Sequence, residues 1–133
     1  MEQANSGING TITFFYYDDL ERASRFYENV LRLEPVIDVD FAKVYRIHDN
    51  AHVGLVDSER GYLKTCKHKP VMLTLLSENI DVWYEYLKTK DVKVEQPPKT
   101  ADYLNMKTML LRDPEGYLIE ILHWLTKPYG KKQ

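Results

Sequence analysis

One carboxylate stands among apolar neighbours near the C-terminal end of the chain. In the stretch DPEGYLIEILHW, residues 113–124, Glu120 lies between Ile119 and Ile121. An ionised carboxylate is too costly to bury alone, so the position implies a partner. Three roles follow: a metal ligand, a general base, or half of a structural pair with Arg46, Arg112 or a lysine. Other chemistry-bearing residues are less well placed. His48 and His52 form H-x-x-x-H, a zinc spacing only on a helix, and the residues between them read as a hairpin turn. Cys66 and His68 sit in the basic stretch KTCKHK without ligating companions. No Gly-rich phosphate loop and no Gly-x-Ser-x-Gly elbow occurs, so phosphoryl transfer and serine hydrolysis lack support.

The elements that position these groups belong to a chain of 133 residues, long enough for one real core. The net charge is −2 and the cations are scattered, which argues against nucleic acid and acidic membranes as partners. No apolar run reaches the length of a membrane span, and the N-terminal stretch MEQANSGING is too polar for a signal peptide. A single cysteine, Cys66, gives no disulfide framework, and a cytoplasmic location is expected.

TITFFYY, residues 11–17, reads as a strand. Asp18 and Glu21 form an expected capping box for a helix through LERASRFYENVL, with Leu20, Ala23, Tyr27 and Val30 on one face. Strands PVIDV, AKVYRI and HVGLVD follow. The order then repeats: VMLTLL is a strand, IDVWYEYLK a helix with Ile80, Trp83, Tyr84 and Leu87 on one face, and VKVEQPP a short strand ended by its prolines. NMKTMLLR and GYLIEILHW complete the set. Asp19 and Asn79 hold equivalent cap positions, so the repeat is about sixty residues long. The expected class is α+β, two βαβββ modules forming a cup-shaped mixed sheet with helices on its outer face. Segments 58–69 and 96–105 are expected to be loops acting as mobile flaps.

DDLERASRFYENVLRLEPV and DPEGYLIEI resemble the first-helix and last-strand signatures of the vicinal oxygen chelate superfamily, which includes glyoxalase I, extradiol dioxygenases and bleomycin-binding proteins. The resemblance runs over roughly residues 10–124. It implies paired βαβββ modules, frequent homodimers and, in the enzymes, a divalent metal held by one residue from the first and last strand of each module. Those four slots fall on Ile12, Gly54, Met72 and Glu120, so only Glu120 is a usual ligand. No metal site and no other cofactor is therefore expected, and a stable divalent metal is disfavoured. Arg32 stands where the family commonly has the Gly after the helix, which implies a different termination or modest strain.

If the slot residues face inward, strand alternation carries others with them. Phe14 and Tyr16 join Ile12, His52 and Val56 join Gly54, and Thr74 and Leu76 join Met72. Leu118, Leu122 and Trp124 accompany Glu120, while His123 falls on the helix side. The expected ligand contacts are Ile12, Phe14, Tyr16, His52, Met72, Thr74, Glu120 and Trp124, a mostly apolar and aromatic lining. The expected function is small-molecule binding without the usual metal centre, for sequestration or a ligand-responsive role. The alternative is an enzyme, a glyoxalase-type lyase or isomerase or a dioxygenase-like protein. There Glu120 serves as general base or metal ligand, and Tyr16 or His52 stabilises an oxyanion. A third reading is an interaction protein whose cup is filled core. The expected layout is a flexible N-terminus at 1–9, one domain at 10–126 with modules at about 10–57 and 70–124, and a flexible basic tail at 127–133.

Overall fold

The computed structural model describes residues 7–128, and the ends of the expected flexible N-terminus and basic tail lie outside them. The chain divides into two compact units between Cys66 and Lys67.

In the first unit, β1 (Thr11–Tyr17) leads into α1 (Leu20–Arg25), which widens into a π-helical turn at Phe26–Val30. β2 (Glu34–Val39), β3 (Ala42–His48) and β4 (Ala51–Asp57) follow as an antiparallel meander. β1 pairs parallel with β4 at the sheet edge, giving the order β1-β4-β3-β2. The second unit repeats this plan with β5 (Met72–Leu76), α2 (Ile80–Leu87), β6 (Lys93–Ala101), β7 (Met106–Arg112) and β8 (Leu118–Trp124). Its order is β5-β8-β7-β6, with β5 parallel to β8. Each module thus forms its own four-stranded mixed sheet, in an α+β fold. Among the described residues no helix is long and apolar enough to cross a membrane.

Four local expectations are corrected. The cap of α1 is Asp19, whose carboxylate accepts the Arg22 N–H at 3.1 Å, and not an Asp18–Glu21 box. Asp18 instead accepts the hydroxyls of Thr65 at 2.8 Å and Ser58 at 3.4 Å, tethering the 58–65 segment. The second half of the helix is π-helical, with the Leu31 N–H reaching the Phe26 carbonyl. Phe26 and Tyr27, adjacent in this wider turn, are both buried. β6 does not stop at Pro97-Pro98. It runs on to Ala101, because an edge strand has no outer neighbour awaiting an N–H and its register shifts absorb the prolines. The expected 96–105 flap is therefore mostly strand, closed by a 3-10 turn at Asp102–Leu104.

Arg32 takes the left-handed backbone that Gly adopts freely, at φ 59, and the Leu33 N–H closes the turn on the Tyr27 carbonyl at 3.0 Å. The strain of a side chain in this region is about 1 kcal/mol. The termination is the familiar left-handed one, imposed on a residue less suited to it.

Between α1 and its sheet lies a core of Phe15, Tyr17, Leu20, Ala23, Tyr27, Tyr45, Val53 and Leu55. Tyr27 stacks on Tyr45, and the Tyr17 hydroxyl donates to that of Tyr27 at 3.1 Å. The Tyr45 hydroxyl donates to Glu28 at 2.7 Å, so the polar tips of this aromatic cluster are satisfied. Burial first, then the bond to Glu28, pushes the Tyr45 phenol well above its ordinary range and keeps it protonated. In the second unit, Ile80 and Leu87 of α2 are buried with Met109, Leu111, Ile119 and Ile121 of the sheet, and Lys107 reaches Asp81 at 2.7 Å. The helix side of each sheet is thus fixed, and with it the face turned away.

Candidate functional site

In the first sheet, the face away from α1 carries Ile12 beside His52, Phe14 beside Gly54, and Tyr16 beside Val56. The alternation is the expected one: Phe15 and Tyr17 are buried on the helix side, whereas Ile12 and Phe14 are 43% and 45% exposed. His52 lies with Nδ1 3.2 Å from the Thr11 carbonyl. A carbonyl only accepts, so Nδ1 is the donor in this contact. Tyr16 and His52 are two rows apart on this face, about 13 Å along the strands at 3.3 Å per residue. The sheet does not bring them to one atom. The Tyr16 ring is covered by the 58–65 segment, since a Cβ at Gly61 would come within 2.8 Å of it.

The slot at Gly54 is occupied by its neighbour. A Cβ built there would collide with the Phe14 ring, 2.5 Å from its Cε1, and lie 3.4 Å from Ile12 Cγ2. Gly54 is therefore what lets Phe14 lie flat across the sheet. Gly54→Ala should cost about 1–2 kcal/mol by overpacking. In a Phe14→Ala background the cost should fall below about 0.5 kcal/mol, because the clash is a pairwise one. Urea unfolding of the four proteins checks this, and a cost unchanged by Phe14→Ala would place the strain in the backbone instead.

In the second sheet the equivalent pair has different chemistry. Thr74 is the register partner of Glu120, as Phe14 is of Gly54, and its hydroxyl donates to Glu120 Oε1 at 2.7 Å. None of the expected cationic partners is there. Arg112 is bound in a fork to Glu95, with Nε and Nη2 at 2.8 and 3.2 Å, and through Nη1 to the Gly116 carbonyl. That bond to Glu95 is what raises the Arg112 pKa and lowers that of Glu95. Arg46 is bound to Glu34 and the Asp49 carbonyl. Among the described residues no cation pairs with Glu120, and only Thr74 is bonded to it.

Glu120 faces a hollow of about 630 Å³ over β6 and β7, whose walls include Gln96, Thr108, Leu110, Met106, Leu104 and Tyr103. None of these wall residues is legible from the last-strand motif. Leu110 is the register partner of Glu120 on β7, and finding it requires the β7–β8 pairing as well as strand alternation. The hollow does not include the expected contacts Met72, Thr74 and Trp124. Met72 is exposed one row along β5, and Trp124 is half-buried opposite Met106 at the end of β8. His123 lies beside Lys107, on the helix side as expected.

The donor set does not fit the metal that the resemblance implies. Of Ile12, Gly54, Met72 and Glu120, one carries a carboxylate, and the room above Gly54 is filled by Phe14. Among the described residues no three His, Cys, Asp or Glu side chains come together as a metal-holding group. His48 and His52 do not share a face of a helix, since the β3–β4 turn separates them.

Comparison with known proteins agrees with this architecture. A glyoxalase/bleomycin resistance protein/dioxygenase superfamily profile matches residues 10–121. No curated protein sequence matches the chain. Among solved structures, a glyoxalase/bleomycin resistance protein/dioxygenase from Nocardioides superimposes with a TM-score of 0.74 at 21% identity, covering 94% of this chain and 90% of that one. Lactoylglutathione lyase from Agrobacterium tumefaciens gives 0.71 at 19% identity, with 89% and 93% covered. TioX from Micromonospora sp. ML1 gives 0.71 at 16% identity, with 88% and 99% covered. At these identities the structures speak for the fold alone. The profile spans most of the sequence, and the chain therefore belongs to the glyoxalase/bleomycin resistance protein/dioxygenase superfamily.

Proposed function

We propose that the chain binds a small molecule on the face of the second sheet away from α2, beside Glu120, without the metal centre usual in its superfamily. The observation carrying this reading is the bonding of Glu120. Its carboxylate is oriented by the Thr74 hydroxyl, has no cationic partner among the described residues, and faces a hollow walled by Leu104, Met106 and Leu110. A structural ion pair would have used that charge within the fold. Here one oxygen is left to accept from a ligand, and Gln96 and Thr108 add polar contacts. The ligand this suits is small, with an apolar body and one hydrogen-bond donor. Sequestration and a ligand-responsive role both follow from binding of this kind.

An enzymatic role is the alternative, with Glu120 as general base or as ligand of a displaced metal. It rests on the same unengaged oxygen, and the similarity to a lyase keeps it in view. Tyr16 and His52 give it less support, being far from each other on the first sheet. A homodimer belongs to the same proposal, supported by the exposed apolar residues Ile12, Phe14, Ile37 and Val39 of that sheet. The cytoplasmic location rests on the single cysteine.

The test is metal content after separate incubation with Zn²⁺, Ni²⁺, Mn²⁺ and Fe²⁺ and desalting, with Glu120→Gln as control. The expected result is a retained fraction well below one equivalent, equal in both proteins, because one carboxylate holds such ions weakly. Near-stoichiometric metal lost in Glu120→Gln would overturn the metal-free reading and put the enzymatic one first. Benzylamine then probes the hollow, with amide shifts expected at residues 104–110 and 120.

A further inference from the structure

A second hollow in the same unit has more cations than the first, whose lining sets Lys99 against Asp102 and Glu120. Its volume is about 390 Å³, and it is lined by Lys67, His68 and Lys69 from the segment before β5, by Arg112, and by Met72 and Leu118. Met72 and Leu118 are register partners in the first row of the sheet, with Arg112 next to Leu118 on β7. Three cations thus converge on one concavity in a chain whose net charge is −2.

These cations are held differently. Arg112 is fixed by its fork to Glu95 and its bond to the Gly116 carbonyl, so Glu95 offsets its charge. The Lys69 ammonium lies over the Tyr117 ring, 5.2 Å from its centroid, which sets it against the wall of the hollow. Lys67 has no hydrogen bond or ion pair with any described residue. The nearby Asp113 carboxylate is buried, accepts backbone N–H groups of its own turn and, with Glu95, acts on the Arg112 charge. Lys67 thus brings its positive charge to the hollow beside an apolar floor of Met72 and Leu118.

We infer that this hollow is a binding site for a small organic anion, its carboxylate or phosphate between Lys67 and Lys69 and its apolar part over Met72 and Leu118. An anion gains charge-assisted hydrogen bonds from the ammonium groups, and the apolar floor excludes water from them. The site is separate from the hollow at Glu120 and stands or falls without it.

Phenyl phosphate, benzoate, inorganic phosphate and neutral benzyl alcohol are titrated into the full chain, read by amide shifts and calorimetry. Phenyl phosphate or benzoate should saturate with shifts at residues 67–72 and 112–118, and the stronger of the two identifies the preferred acidic group. The Lys67→Ala/Lys69→Ala double variant should weaken that binding about tenfold, and Lys88→Ala, a lysine on the end of α2, should not alter it. Inorganic phosphate should bind more weakly than phenyl phosphate, because it forgoes the floor. Benzyl alcohol binding as well as the anions, affinity unchanged in the double variant, or shifts confined to other segments would each overturn the assignment.

Discussion

Replacing Asp113 with alanine should lower stability by about 3 kcal/mol, the sum of two charge-assisted hydrogen bonds at the low end of their range. The Asp113 carboxylate is buried, and it accepts the N–H groups of Glu115 at 3.0 Å and Tyr117 at 2.9 Å. Alanine leaves both donors without that acceptor, and the Tyr117 N–H has no ready access to water. For a chain of this length the loss corresponds to a fall in Tm of roughly 10 °C. Asparagine keeps an oxygen at the same place and should cost about 1 kcal/mol, since the charge but not the acceptor is removed. The turn also sets which way β8 faces. The Asp113 N–H donates to the Tyr117 carbonyl and the Asp113 carbonyl accepts from the Gly116 N–H, Gly116 supplies a left-handed residue at φ 94, and Arg112 then pairs with Leu118. A slip of one residue would turn Glu120 to the helix side. Thermal unfolding of the two variants is the check. An alanine variant within about 1 kcal/mol of the parent would show that strand pairing alone holds the register.

How much of this was visible in the sequence depends on the range of the interaction. Periodicity and caps are local, so the strands, both helix starts at Asp19 and Asn79, and the placing of Ile12 and Phe14 on the face opposite Phe15 and Tyr17 were legible. The equivalence of Gly54 with Glu120 was legible too, through the repeat, and the matching register pairs of the two sheets bear it out. The acceptors and donors that cross the fold were not. Asp18 looks like a cap because an acidic residue before a helix usually is one. Its partners Ser58 and Thr65 lie 40 and 47 residues away. The same holds for Glu120. A buried carboxylate suggests a cation, but the parallel pairing of β5 with β8 brings Thr74 to it from 46 residues away. Pro97 and Pro98 misled for a different reason, because whether a strand lies at a sheet edge is a property of topology and not of composition.

The Thr74–Glu120 pair should separate a structural role from a binding one. Thr74→Val removes the hydroxyl that orients the carboxylate and should cost about 1 kcal/mol, as a typical hydrogen bond does. The double variant Thr74→Val/Glu120→Leu should be as stable as the parent or up to about 1 kcal/mol more stable. It replaces a half-buried polar pair with apolar side chains beside Leu110, Leu118 and Leu122. The same variant should weaken binding of benzylamine in the hollow at least about tenfold, because it removes the acceptor that faces the ligand. Stability and binding would then move independently, which is what a residue kept for a ligand produces. A fold that needs the pair gives the opposite pattern. If the double variant lost about 2 kcal/mol or more while benzylamine binding, measured below its unfolding transition, stayed as tight, Glu120 would be part of the scaffold. The pseudo-equivalent pair in the first unit says which pattern to expect. Phe14 and Gly54 occupy the matching positions with no polar side chain, and the first sheet pairs through them in the same register. A βαβββ module of this chain can therefore be built with an apolar pair in that slot, so the architecture alone does not require the carboxylate of the second module, and the double variant is expected to keep its stability.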